Sequence, residues 1–347
     1  MRQKRNKKAV LLVLCLILGM ILTGCGSGKR QQPAAAETPL ARLGEDTISL
    51  EEAVFYTRMM QEQWEYTYYE DYGENLWQTQ VNEETGTLGD ALKRDVLDAL
   101  TEIHLLCSHA KEYGMELSRN EQETIAKRAR TFMEQNTPSV LEAAGATESR
   151  VADFLMRNQL AARVAEAMQA AYEPEVDEES ARVGKLTYAL FATTGIFDAQ
   201  GNQTPFTEEE LIQVKKNAEA FEARAKELGD ISAAGEEVSH TVIDVYFNDV
   251  TDGGAHELVA EAARQLEVGG ISGLVETEEG YYVVQRISEY EEEATLENIG
   301  YQKEQARRAW KEQQLSAWQE EAPLVLDEEL WNTVQVKEML TEASAQE

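Results

Sequence analysis

Through most of residues 41–175, apolar positions recur at spacings of three and four, the period of a half-buried helix. Ala41 to Ile48 reads as a short extended piece. Ser49-Leu50-Glu51-Glu52 then has the form of a capping box, a hydroxyl followed three positions later by a carboxylate, and opens a helix through about Tyr69. Asp90 to Tyr113 carries the clearest stripe: Leu92, Val96, Ala99, Ile103, Cys107 and Ala110 share one face, and Gly114 sits where a terminating glycine belongs. Ser118-Arg119-Asn120-Glu121 caps a further helix that ends near Thr137-Pro138. Thr147 opens another, with Val151, Phe154, Leu155, Val164 and Met168 apolar.

The period changes after an acidic, proline-containing linker at Glu173–Glu179. Val183–Phe191, Thr241–Phe247 and Gly280–Ile287 read as strands, the last rich in aromatic and β-branched residues. Between them lie two helical patterns. Thr207 caps one that carries Leu211, Val214, Ala218, Phe221, Ala225 and Leu228 and stops at Gly229; the other covers Ala255–Leu266. Residues 180–290 therefore form an α+β unit. Helix returns after Thr295, with Ile299, Ala306, Trp310, Ala317 and Trp318 as a candidate buried stripe, and Leu324–Val336 adds a short apolar tail. This last segment, residues 293–345, has no core of its own and is expected to pack back on residues 41–175. The fold class is α+β: a discontinuous all-helical domain made from both ends of the chain, with an α+β domain inserted between them.

The first residues change the picture of compartment. Arg2, Lys4, Arg5, Lys7 and Lys8 precede an apolar run from Ala9 to Leu22. A basic head, a short apolar core and small residues describe a secretory signal, and the run is short of the roughly 20 residues that span a bilayer. Leu22-Thr23-Gly24-Cys25 resembles a bacterial lipoprotein signal, which implies that residues 1–24 are removed and that the Cys25 thiol is lipidated. The polar, Pro/Ala-rich stretch that follows, residues 25–40, reads as a flexible tether. The expected location is extracytoplasmic, on the cell membrane through a lipid anchor.

Charge excludes one partner class. The chain has 32 basic and 64 acidic residues. Without the five basic residues of the signal, 27 face 64, a net charge of −37. Phosphate backbones need a basic surface, so nucleic acid is not an expected partner. Cys15 leaves with the signal and Cys25 is the anchor, so Cys107 is the remaining thiol and no internal disulfide is expected. The spacings of histidines and acidic residues suggest neither a metal site nor a calcium loop, and the reading calls for no cofactor. His104 and His109 read as core or surface groups on a helix. The run Trp64, Tyr66, Tyr68, Tyr69 and Tyr72, with Trp77, reads either as packing for the helical domain or as an apolar groove for unfolded chains.

Residues 266–287 read Leu266-Glu-Val-Gly269-Gly-Ile-Ser272-Gly-Leu-Val-Glu-Thr-Glu-Glu-Gly280-Tyr-Tyr-Val-Val-Gln-Arg-Ile287. A helix, then Leu-x-x-Gly-x-x-Ser, a short β segment, a turn and a strand opening on Gly-Tyr resembles the end of a parvulin-type peptidyl-prolyl isomerase domain. Helical ends around such a domain, behind a lipoprotein signal, are similar to extracytoplasmic foldase lipoproteins and periplasmic chaperones. The resemblance implies a factor that binds unfolded or newly exported polypeptides. It also implies rotation about X–Pro bonds, where the family's histidine pair lies on the first and last strands behind an apolar proline pocket. Tyr188 and Tyr282 stand at those two positions, so the isomerase domain is expected to be degenerate. Ala255 and Val259 fall where the family has a larger methionine and phenylalanine. Phe191, Phe247, Leu258 and Val259 are the expected peptide-binding positions. Ser272 matches a turn position and not a nucleophile. Two rival readings are an active isomerase that uses the tyrosines and a scaffold lipoprotein that binds one folded envelope partner. The sequence carries no signature of oligomeric state.

Overall fold

A computed structural model describes residues 37–340 apart from 83–84, 198–202 and 249. The signal of residues 1–24, Cys25 and most of the tether lie outside the described residues. In chain order the elements are β1 (Pro39–Leu43), β2 (Asp46–Ser49), α1 (Leu50–Tyr72), a 3-10 turn (Gly73–Gln78), β3 (Gln80–Asn82), β4 (Gly86–Thr87), α2 (Leu88–Ser108), α3 (Arg119–Gln135), α4 (Pro138–Ala143) and α5 (Glu148–Ala171). There follow β5 (Gly184–Ala192), β6 (Ile196–Phe197), β7 (Gln203–Thr204), α6 (Glu208–Leu228), α7 (Ile231–Val238), β8 (Val242–Phe247), α8 (Glu257–Gln265), β9 (Val275–Glu276) and β10 (Gly280–Ser288). The chain closes with α9 (Glu292–Glu321), β11 (Leu324–Leu326) and α10 (Glu328–Trp331). None of the described helices is long and apolar enough to cross a membrane. The described elements divide into two compact units, one within residues 37–172 and 308–340 and one within residues 173–307.

The caps expected from sequence form. Ser49 Oγ accepts from the Glu52 amide, and Ser118–Glu121 and Thr207–Glu210 close reciprocal capping boxes. Helix α2 starts earlier than its apolar stripe suggested, because Thr87 and Asp90 make a box of their own. Leu92, Val96, Ala99 and Ile103 on α2 are all buried, and they meet Tyr56 and Met60 of α1, and Val164 and Met168 of α5, in one core.

The first unit is not all-helical. β1 pairs antiparallel with both β2 and β11, in the order β11-β1-β2, with Ala41 opposite Leu326 and opposite Ile48. The tether is also shorter than expected, since Leu40 is buried and β1 already begins at Pro39. The apolar run Leu324–Leu326 is the missing strand of this sheet. Trp331, Val334 and Val336 enter the same core, and Trp310, Leu315 and Trp318 of α9 pack against it. Trp318 stacks on His109 with ring centroids 3.8 Å apart, and Trp310 stacks on Tyr172 at 5.1 Å. Lys311 of α9 reaches Glu102 of α2 at 2.9 Å.

A charge cluster around one buried imidazole joins four elements of this unit. His104 of α2 is fully buried, and its ring nitrogens meet Asp46 of β2 at 2.7 Å and Glu52 of α1 at 3.1 Å. Arg157 of α5 stands 3.6 Å from both carboxylates, and Cys107 donates to the Arg157 carbonyl. Only an imidazolium donates from both nitrogens, so the geometry calls for a charged ring. Burial works against that charge, but the hydrogen bonds to Asp46 and Glu52 outweigh it and raise the His104 pKa. The hydrogen bond from His104 holds Asp46 at about 2. Cys107 is pushed up to about 11 by burial, so it is a protonated core thiol and not a nucleophile.

Stabilisation from His104 is present below its ordinary pKa of 6.5 and is lost as pH rises through the raised folded value. Stabilisation from Asp46 runs the other way, present above 3.8 and lost as pH falls towards 2. Denaturant melts of wild type and His104→Gln across pH check this. The variant should be about 2 kcal/mol less stable near pH 6, and the gap should shrink as pH rises.

Candidate functional site

Four antiparallel strands in the order β8-β5-β10-β9 form the sheet of the second unit. Its first and last segments are laced together. Glu291 N donates to Val183 O at 2.7 Å, Val183 N donates to the Thr295 hydroxyl at 3.0 Å, and the Asn298 amide donates to Ala181 O at 2.8 Å. This holds the entry and exit of an inserted unit side by side.

Alternation along β5 sends Leu186, Tyr188 and Leu190 to one face and Thr187, Ala189 and Phe191 to the other. The register places Val284 opposite Tyr188 and Leu190 opposite Tyr282, so both tyrosines lie on the same face. There they join Val245, Phe247, Val259 and Ala263 in one apolar cluster, with Ala255 packed against it. The two rings meet edge to face with centroids 5.3 Å apart. Tyr282 is only 3% exposed and Tyr188 is half-buried. Ile243, opposite Tyr188 on the edge strand β8, is largely exposed beside them.

The tyrosine hydroxyls stay neutral. Burial raises Tyr282 well above the ordinary phenol range, and its hydrogen bond to Glu279 adds to the shift. Burial also raises Tyr188, with Glu279 again adding to it. The Tyr282 proton is committed to Glu279, while the Tyr188 hydroxyl is engaged by no other described residue. His256 caps α8 by accepting from the Leu258 amide through Nδ1 at 3.2 Å, which leaves the proton on Nε2, 3.3 Å from Glu278. Neutral phenols at these positions offer hydrogen bonds to a peptide but no proton transfer near neutral pH.

The expected peptide-binding positions separate. Phe247 and Val259 share the cluster with the two tyrosines. Phe191 does not: strand alternation puts it on the opposite face, stacked on His240 at 4.1 Å and packed on Phe221. Leu258 precedes the buried Val259 on α8 and is 43% exposed, outside the cluster. His240 donates its Nε2–H to the Leu190 carbonyl at 3.0 Å and so serves the fold. Ser272 is also structural; its hydroxyl donates to Gly273 O and accepts from Val284 N. Gly280 is required at the start of β10, because a Cβ there would lie 2.2 Å from the Phe191 carbonyl oxygen. Sequence reasoning missed Glu279 and Ile243. Glu279 lies in a turn and partners a strand residue, a relation that carries no periodic signal. Ile243 is visible only once the β5–β8 register is known. Among the described residues there is no cluster of metal-ligating groups.

Residues 1–164 match the SurA-like N-terminal domain family. Over 320 residues, 88% of this chain and 89% of the relative, the sequence is 24% identical to the foldase protein PrsA of Clostridium tetani. The chain has a SurA-like N-terminal domain and is homologous to PrsA foldases. Among solved structures, the peptidylprolyl isomerase PrsA of Bacillus cereus is 16% identical, covering 78% of this chain and 99% of that one, with a TM-score of 0.30. Foldase protein PrsA of Streptococcus pneumoniae is also 16% identical, covering 84% and 98%, with a TM-score of 0.27.

The two faces of this PrsA homologue's sheet make distinct predictions. Phe247→Ala should cost the second unit about 3 kcal/mol in denaturant melts, since Phe247 is buried in the tyrosine-side core. Tyr282→Phe keeps the ring and loses only a hydrogen bond to an exposed carboxylate, so its cost should be about 1 kcal/mol or less.

Proposed function

We propose that this chain is a membrane-anchored, extracytoplasmic folding factor that holds unfolded or newly exported polypeptides, and that its strand-rich unit binds peptide without isomerising prolyl bonds. The observation that carries the second half is the Tyr188–Tyr282 pair. An isomerase must seat a proline ring in an apolar pocket and favour a twisted amide over the planar one, against a barrier of about 18–20 kcal/mol. Here the Tyr282 ring is itself buried in the apolar cluster, with Tyr188 edge-on against it. The two positions where the resemblance implies imidazoles thus carry neutral phenols packed on one another.

What remains suits peptide contact. Tyr188 offers a hydroxyl with no partner among the described residues, beside exposed Ile243 on the edge strand β8. On the first unit, Tyr66 is 90% exposed, and Tyr69 and Tyr72 about half exposed, along the second half of α1. The tryptophans of that run turn the other way: Trp77 is buried, and Trp64 stacks on it at 6.2 Å. The aromatic run is thus split between core and surface, and its surface half suits transient contact with unfolded chains. The Leu22-Thr23-Gly24-Cys25 sequence supports the lipid anchor on Cys25 and, with the signal before it, a place outside the cytoplasm.

Two assays on the chain from Cys25 onward test this. Prolyl isomerisation of a proline peptide should proceed at its uncatalysed rate, over tens to hundreds of seconds, while aggregation of several unrelated unfolded clients should be suppressed. Acceleration that disappears in Tyr188→Phe or Tyr282→Phe would instead establish an active isomerase. One tight folded partner with no effect on aggregation would establish a scaffold. In cells, Cys25→Ser should release the chain from the membrane fraction.

A further inference from the structure

Residues 334–340 lie in a groove of the first unit in a manner unlike the rest of its core. Buried and exposed positions alternate from Val334 to Lys337, with Val334 and Val336 buried and Gln335 and Lys337 exposed. That is the period of an extended strand, yet the segment joins no sheet among the described residues. From Gln335 onward its backbone is held by side chains. Arg58 Nη1 donates to Gln335 O at 3.1 Å, Gln78 Nε2 to Lys337 O at 2.5 Å and Gln61 Nε2 to Glu338 O at 2.7 Å. The Leu340 amide donates to both oxygens of Glu65 at 3.0 Å.

Glu65 is a carboxylate only 1% exposed, and its other donors are Trp77 Nε1 at 2.9 Å and Gln61 Nε2 at 3.0 Å. Such a buried acceptor is stable only while its donors are present. The backbone also approaches unusually closely. A Cβ at Gly89 would lie 2.6 Å from the Val336 carbonyl oxygen. Arg58, Gln61, Glu65, Gln78 and Gly89 therefore read main-chain atoms, whereas the pockets for Val334 and Val336 ask only for apolar side chains at alternate positions.

We propose that this groove is a polypeptide-binding site, that residues 334–340 are its resident occupant, and that extended client segments with the same alternation displace them. Main-chain recognition with apolar side chains at every second position is the chemistry by which one site takes many sequences. The position of Leu340 must supply an N–H, so proline is excluded there. The resident segment makes the groove self-shielding: client affinity is scaled by the fraction of chains in which the segment is out. The inference rests on the reading of the first unit as a polypeptide binder.

The test begins with the wild-type chain. A peptide of sequence Thr333–Leu340, added in excess, should accelerate amide hydrogen exchange at Leu340, whose N–H is held by Glu65, and leave the α2 amides unchanged. The same peptide with aspartate at both valine positions should leave both sets of amides unchanged. Gly89→Ala places a methyl against the carbonyl at the Val336 position, whichever chain supplies it. Its exchange at Leu340 should rise without peptide, and labelled peptide should bind it more weakly than it binds wild type. Unchanged exchange in wild type under saturating peptide overturns the inference, as does equal binding of the two peptides. Aggregation suppression measured alongside separates the two readings. If wild type suppresses aggregation but the peptide leaves exchange unchanged, the holding function stands and this site fails. If it suppresses none while the peptide displaces the segment, the groove stands and the holding function fails.

Discussion

The apolar interior of the first unit cannot be closed by contiguous chain. Its helices come from residues 50–171, but β1 needs β11 as a sheet neighbour, and Trp331, Val334 and Val336 fill positions in the same core. Burying a valine-sized side chain is worth about 1.5–3 kcal/mol, and whole domains are stable by only about 5–15 kcal/mol. Those three side chains are thus comparable with the entire net stability of the unit. Everything between residues 173 and 307 is, in that sense, an insertion that must return the chain to where it left. The hydrogen bonds that bind Val183 to Glu291 and Thr295 do this inside the second unit.

The second unit shows how a sheet can keep its architecture while its chemistry changes. The glycine that opens β10, the Ser272 turn and the α8 packing all serve the backbone and are in place. The two positions from which the resemblance implied imidazoles carry phenols instead. Burial holds those phenols neutral, and one is tied to Glu279. What that face presents is an edge strand and a Tyr188 hydroxyl that has no partner among the described residues. In the first unit, contact of another kind is available: exposed tyrosines on α1 and a groove that grips main-chain atoms.

Much of this was legible in the sequence because it is local or periodic. The Ser49, Ser118 and Thr207 caps, the α2 stripe and the three long strands each lie within one stretch of chain. Whether Tyr188 and Tyr282 share a face was left open by the sequence and is decided by the β5–β10 register. The failures were matters of pairing. Leu324–Leu326 looked like a loose apolar tail because its partner, β1, lies more than 280 residues earlier. Phe191 was placed with Phe247, although one position of strand alternation separates it from the tyrosine face. The cluster of His104, Asp46, Glu52 and Arg157, and the seat of Leu340 on Glu65, join residues that are far apart in sequence and have no shared period.

The central claim is that two distant stretches of chain share one interior. The most direct measurement takes residues 37–172 alone and asks for near-ultraviolet circular dichroism and cooperative unfolding, before and after addition of residues 308–340 as a separate peptide. The account predicts helical signal without fixed aromatic packing at first, and a cooperative transition once the peptide is bound. A fragment of residues 37–172 that unfolds cooperatively by itself and ignores the peptide would contradict it.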